Sequence, residues 1–114
     1  MHRAVEPFTH ARTLVAGKTV LFVSNRCDPQ LKRKLEKTFG VKLDWKVVEK
    51  MREIQAVCAR ISHGRYEAVW VQTSFISHKT DKLIKDACRG ASVPYLPVNK
   101  GRPNAVAQSL VDSR

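Results

Sequence analysis

The stretch Val69-Trp70-Val71-Gln72-Thr73-Ser74-Phe75-Ile76-Ser77-His78-Lys79 reads as a buried strand that runs into a polar turn and then opens a helix. A continuous apolar run without alternation suits a central parallel strand covered on both faces. Val20-Leu21-Phe22-Val23 has the same character, and with Ala68-Val69-Trp70-Val71 it predicts the two middle strands of one sheet. Val41, Leu43, Trp45 and Val47 alternate with Lys42, Asp44 and Lys46. Val93-Pro94-Tyr95-Leu96-Pro97-Val98 holds two prolines, which cannot donate ladder hydrogen bonds. Both of these segments are therefore predicted as edge strands.

Helical signals fill the intervals. Asp28 is an N-cap with Pro29 at the first helical position; Leu31, Leu35 and Phe39 recur every four residues, and Gly40 ends the helix. A second helix is expected from about Lys50 to His63, with Ile54, Val57, Cys58 and Ile61 on one arc and Gly64 as its stop. A third starts near Ser77 and is expected to bury Leu83, Ile84, Ala87 and Cys88, while Pro103 can open a fourth carrying Val106 and Leu110. Strand and helix thus alternate four times. Right-handed crossovers then predict an α/β fold: a four-stranded parallel sheet in the order 2-1-3-4, flavodoxin-like or Rossmann-like, with helices on both faces. Residues 1–17, with Pro7 and Gly17, read as an N-terminal arm, and 18–114 as a single α/β domain.

With 114 residues, 43% of them hydrophobic, the chain can cover one core. Its 21 Lys and Arg against 10 Asp and Glu, and a sequence pI of about 10.1, point to an anionic partner or, more simply, to solubility. The three cysteines form no CxxC pair and no secreted disulfide framework, which favours a reducing cytoplasm. There is no apolar run long enough to span a membrane, and Met1-His2-Arg3-Ala4-Val5-Glu6-Pro7 lacks the apolar middle of a signal peptide, so no membrane partner is expected.

The predicted strand order has a switch point between strands 1 and 3, which places a crevice between Ser24-Asn25-Arg26-Cys27 and the turn from Thr73 to Lys79. Asn99-Lys100-Gly101 could close one side. Thr73, Ser74, Ser77, His78 and Lys79 offer hydroxyls, an imidazole and an ammonium at a helix start, chemistry suited to phosphate or carboxylate; ordinary capping by Ser77 explains part of the same pattern. His78 falls in line with Lys82, Lys85 and Arg89 on a polar helix face, where it could donate to an anion, ligate a metal or exchange a proton. His63 is explained by a helix's last turn, and His2 and His10 belong to the arm. Cys58 and Cys88 read as small core residues, whereas Cys27 adjoins Arg26 and a helix start, a setting in which thiols become reactive. Gly17-Lys18-Thr19 precedes its strand and lacks the upstream glycine of a P-loop; the turn after strand 1 has no glycine, which argues against a dinucleotide cofactor.

The basic residues are uneven. From Leu31 to Arg52 there are eight (Lys32, Arg33, Lys34, Lys37, Lys42, Lys46, Lys50 and Arg52) against Glu36, Asp44 and Glu49, a local net charge of +5. Lys32, Arg33, Lys34 and Lys37 fall opposite Leu31, Leu35 and Phe39 on a helical wheel and could track phosphates, although a charge run is usually only a solvated face.

The Val20-Leu21-Phe22-Val23 strand, the Val69 to His78 strand and turn, the helix ending Lys85-Asp86-Ala87-Cys88, and Val93-Pro94-Tyr95 together give a chain that resembles the bacterial family called domain of unknown function 2325 from about Lys18 onward. The resemblance implies a small Rossmann-like domain and no defined activity. Members typically look glycine-rich after the first strand, and this chain has Ser24-Asn25-Arg26 there.

The expectation from the residues is a cytoplasmic, non-enzymatic binding or regulatory domain that engages nucleic acid or another polyanion through Lys32, Arg33, Lys34, Lys37, Lys42, Lys46 and Lys50. The alternative is a sensor of a small ligand, a metal or haem, or of thiol redox state, using the His78 turn with or without Cys27. An enzyme acting on a phosphorylated substrate comes third, with no catalytic residue assigned. The edge strands leave a homodimer open.

Overall fold

The computed structural model describes residues 14–73 and 76–98. Most of the expected arm, the Asn99-Lys100-Gly101 turn and the helix expected from Pro103 lie outside the described residues, as does Ser74. Within them the order is β1 (Thr19–Ser24), α1 (Pro29–Phe39), β2 (Lys42–Val47), α2 (Met51–Ser62), β3 (Ala68–Val71), α3 (His78–Ala91) and β4 (Tyr95–Pro97). The four strands form one sheet in the order β2-β1-β3-β4, with all pairings parallel. This is the α/β architecture of flavodoxin-like and Rossmann-like domains. The apolar runs are central because both of their faces must be covered, and every residue of β3 is buried.

Helix ends follow local chemistry. The Asp28 side chain accepts from the Leu31 N–H at 3.1 Å, and Pro29 opens α1 without sacrificing a donor. Gly40 takes a left-handed φ of 68° to close it, a conformation that a Cβ would oppose. At the start of α2 the Glu53 carboxylate accepts the N–H groups of Glu49 and Lys50, each at 2.8 Å, and these bonds hold its carboxyl below the usual carboxylate range. Ser77 caps α3 by accepting the Thr80 N–H at 3.1 Å.

The sheet divides the core in two. On one face Leu35 and Phe39 of α1 pack with Val20, Phe22, Leu43, Trp70 and Leu96; Leu14 and Val15, ahead of β1, join them. On the other, Ile54, Val57 and Ile61 of α2 and Ile84 and Cys88 of α3 cover Leu21, Val23, Val69 and Val71. In register, Trp45, Phe22, Trp70 and Leu96 form a row across all four strands. Phe22 stacks on Trp45 with ring centroids 4.1 Å apart, and Phe39 meets Trp70 edge-on at 6.0 Å.

Two expectations about α2 and α3 are corrected. Leu83, expected in the core, is 36% exposed, because its helical neighbours Lys79, Asp86 and Gly90 all face solvent. Cys58 is only half-buried, with its Sγ donating to the Leu83 carbonyl at 3.7 Å, whereas Cys88 is fully in the core.

The outer strands carry protection. Alternate β2 residues donate to β1, beginning with Lys42 to Lys18 at 2.9 Å, so the Leu43 N–H points outward; the Glu36 carboxylate of α1 accepts it at 2.9 Å. On β4 the Val98 N–H donates inward to Val71, which puts the donorless nitrogen of Pro97 on the outward phase.

Candidate functional site

The carboxyl ends of β1 and β3 meet at the switch point, where Ser24 and Gln72 are the buried polar residues of the core. The Ser24 hydroxyl donates to Gln72 Oε1 at 2.6 Å, its carbonyl accepts the Val48 N–H, and Gln72 N–H donates to the Val23 carbonyl. Ser24 thus faces its neighbouring strand and stiffens the floor of the crevice instead of lining it. Gln72 was not singled out in the sequence, although the parallel pairing of Val23 with Val71 makes the next residue of each strand a neighbour.

Above that floor lies a hollow of about 270 Å³ lined by Asn25, Val48, Glu49, Ile76, Ser77 and Thr80. Of the expected ligand-binding residues it gathers Asn25 and Ser77. Ser77 Oγ is already engaged, accepting the Thr80 N–H and donating to Thr80 Oγ1 at 2.9 Å. Glu49 puts a carboxylate at the rim, which disfavours a second anion there. Thr73 is half-buried two residues beyond β3; His78 and Lys79 are exposed on the first turn of α3. His78 shares its exposed face with Lys82, Lys85 and Arg89, as the spacing predicts, and the Lys85 ammonium lies 5.2 Å from the Tyr95 ring centre.

Arg26 and Cys27 turn the other way. Both are exposed, the Arg26 carbonyl accepts the Trp45 Nε1–H at 2.9 Å, and Cys27 lines a second hollow of about 280 Å³ with Asp28, Pro29, Lys32, Asp44 and Trp45. Cys27 and the Ser77 turn therefore border separate hollows. Among the described residues no group of three or more His, Cys, Asp or Glu side chains is placed to hold a metal ion. Trp45, Val48 and Glu49 enter these hollows although the sequence marks Trp45 only as part of an alternating edge strand, Glu49 only as one of the acidic residues of the Leu31 to Arg52 stretch, and Val48 not at all.

The basic residues form more than one surface. Arg33, Lys34 and Lys37 are exposed and Lys32 half-exposed on the outer side of α1. The one acidic residue of that helix is Glu36, held on the β2 edge. Lys42 starts β2; Lys46, 3.6 Å from Asp44, lies further along it, and Lys50 caps α2 on the opposite layer. Asp44 also accepts a hydrogen bond from Tyr66, whose hydroxyl is pushed above its usual range by burial first and by Asp44 second.

No described helix is long and apolar enough to cross a membrane. The sequence matches no family model, and no curated protein is similar to it.

Proposed function

We propose that this protein is a non-enzymatic binding or regulatory domain of the cytoplasm that engages nucleic acid through the outer face of α1. The observation that carries the reading is charge placement. Lys32, Arg33, Lys34 and Lys37 occupy one helix face turned to solvent, and the helix's single carboxylate is drawn off that face onto the Leu43 N–H. A run of cations on one helix face meets the spaced charges of a phosphate backbone and releases its counterions. Lys42 and Lys46 alternate with Leu43 and Trp45 along β2 and so project, like Lys50, toward the α2–α3 layer, from which they add only long-range attraction. Kinship with the domain of unknown function 2325 family belongs to the same proposal; it bears on the fold and rests on the motif residues quoted above.

The test is a salt titration of nucleic acid binding by the whole chain and by the Lys32→Gln, Arg33→Gln, Lys34→Gln, Lys37→Gln variant. Affinity of the natural chain should fall steeply with salt. The variant, still folded by circular dichroism, should bind more weakly and flatten the logarithmic salt slope by about 3 to 4. An unchanged slope removes α1 from the interface.

A further inference from the structure

We infer that Trp45 is a stacking platform for an unpaired base, so that the preferred partner of the α1 face is single-stranded nucleic acid. This inference rests on the polyanion reading above and deepens it.

Trp45 ends the row of large side chains that crosses the sheet, and it is the half-exposed member of that row, on the outermost strand. Two contacts hold its ring. Phe22, itself fully buried, stacks against it at 4.1 Å with an interplanar angle of 23°, and the indole N–H is bonded to the Arg26 carbonyl at 2.9 Å. An aromatic ring fixed in this way loses little freedom when a second planar group stacks on it. The hollow of about 280 Å³ that Trp45 borders is open to solvent and includes Lys32, the first cation of the α1 face. A base in the hollow would therefore leave its own phosphates beside Lys32, with Arg33, Lys34 and Lys37 further along the helix.

Of the two acidic residues that border the hollow, Asp44 turns its carboxylate to the opposite face of β2, beside the Lys46 cation, and Asp28 is committed to the start of α1, next to the Lys32 cation in the same hollow. Asp28 accepts the Leu31 N–H as the α1 cap, and Asp44 accepts from Tyr66 and lies 3.6 Å from the Lys46 ammonium. A duplex keeps its bases inside the stack and cannot use such a platform, whereas stacking on an aromatic side chain tolerates any base in a single strand.

The protein itself supplies the probe. It has two tryptophans, and Trp70 is 1% exposed, so quenching of indole emission by a nucleic acid reports on Trp45. Labelled oligothymidylate of about 16 nucleotides and a duplex of equal length are titrated at low salt. Single strands should quench emission saturably and the duplex should not. Trp45→Leu should weaken single-strand binding about 5- to 100-fold and leave duplex binding nearly unchanged, and Trp45→Phe should retain most of the affinity. If single strands bind with silent emission, or Trp45→Leu weakens both nucleic acids equally, Trp45 is no platform and only this inference falls. If neither nucleic acid binds the natural chain, the polyanion reading falls and takes the inference with it. The emission measurement needs no variant, so it stands even where Trp45→Leu fails to fold.

Discussion

At the scale of single residues, the interior of this protein favours neutral side chains at alkaline pH. Burial first, and Cys58 second, push the Cys88 thiol up to about 11 from an ordinary 9. Burial and the Asp81 carboxylate raise the Tyr95 hydroxyl, which donates to Asp81, in the same direction. Between the unfolded and folded values the folded chain keeps a proton that the unfolded chain has released, so stability must decline as pH rises through that window. Cys88 contributes fully below about pH 9 and loses its contribution by about pH 11, with Tyr95 adding to the decline at the upper end. Thermal melting across this range should show a Tm that falls progressively from pH 9. A flat Tm to pH 11 would contradict the burial of Cys88.

At the scale of elements, α3 shows how one residue's step around a helix separates packing from exposure. Ile84 is fully buried between α2 and the sheet, while Leu83, the preceding residue, stands 36% exposed beside Lys79 and Asp86. Removing a buried branched chain costs its transfer free energy and leaves a cavity, about 2 to 5 kcal/mol, whereas an exposed leucine has little to lose. Chemical denaturation should therefore place Ile84→Ala about 3 kcal/mol below the natural chain. Leu83→Gln should fall within about 0.5 kcal/mol of it. Comparable losses for the two variants would mean that Leu83 is covered by something in solution. The capping of the β2 edge by Glu36 belongs to the same scale, since a helix side chain there occupies the outward N–H of Leu43 that a foreign strand would otherwise use.

At the scale of the whole molecule, charge dominates. A formal net charge of +11 on 114 residues makes the folded chain repel itself, and the cations of α1 and the exposed row of α3 lie on opposite layers of the sheet. Mobile ions screen this repulsion once the Debye length drops from about 30 Å to about 8 Å, between 0.01 and 0.15 M salt. The compact state gains more than the expanded one, so Tm should rise with added salt by about 5 °C, equivalent to about 1 kcal/mol in a domain of this size. Binding of nucleic acid must weaken over the same salt range, so the two curves run in opposite directions. A Tm that falls with salt would show that attractive pairs, not self-repulsion, set the electrostatic balance.

The sheet order and the positions of all three described helices follow from the chain itself, because strand burial, caps and helix stops are written within a few residues of one another. Asp28 with Pro29, Leu35 with Phe39, and Gly40 suffice for α1; the two uninterrupted apolar runs must lie inside because either would expose a face at an edge. Crossover handedness then leaves the 2-1-3-4 order. The chain also marks α1 as basic, since opposite helix faces are a matter of spacing. Only the tertiary structure decides that Ser24 bonds Gln72, that Glu36 guards the β2 edge, and that Cys27 shares a hollow with Trp45 and not with Ser77. Those pairings join residues up to 48 positions apart, and they exist because parallel register and helix placement bring the side chains together after the backbone has folded.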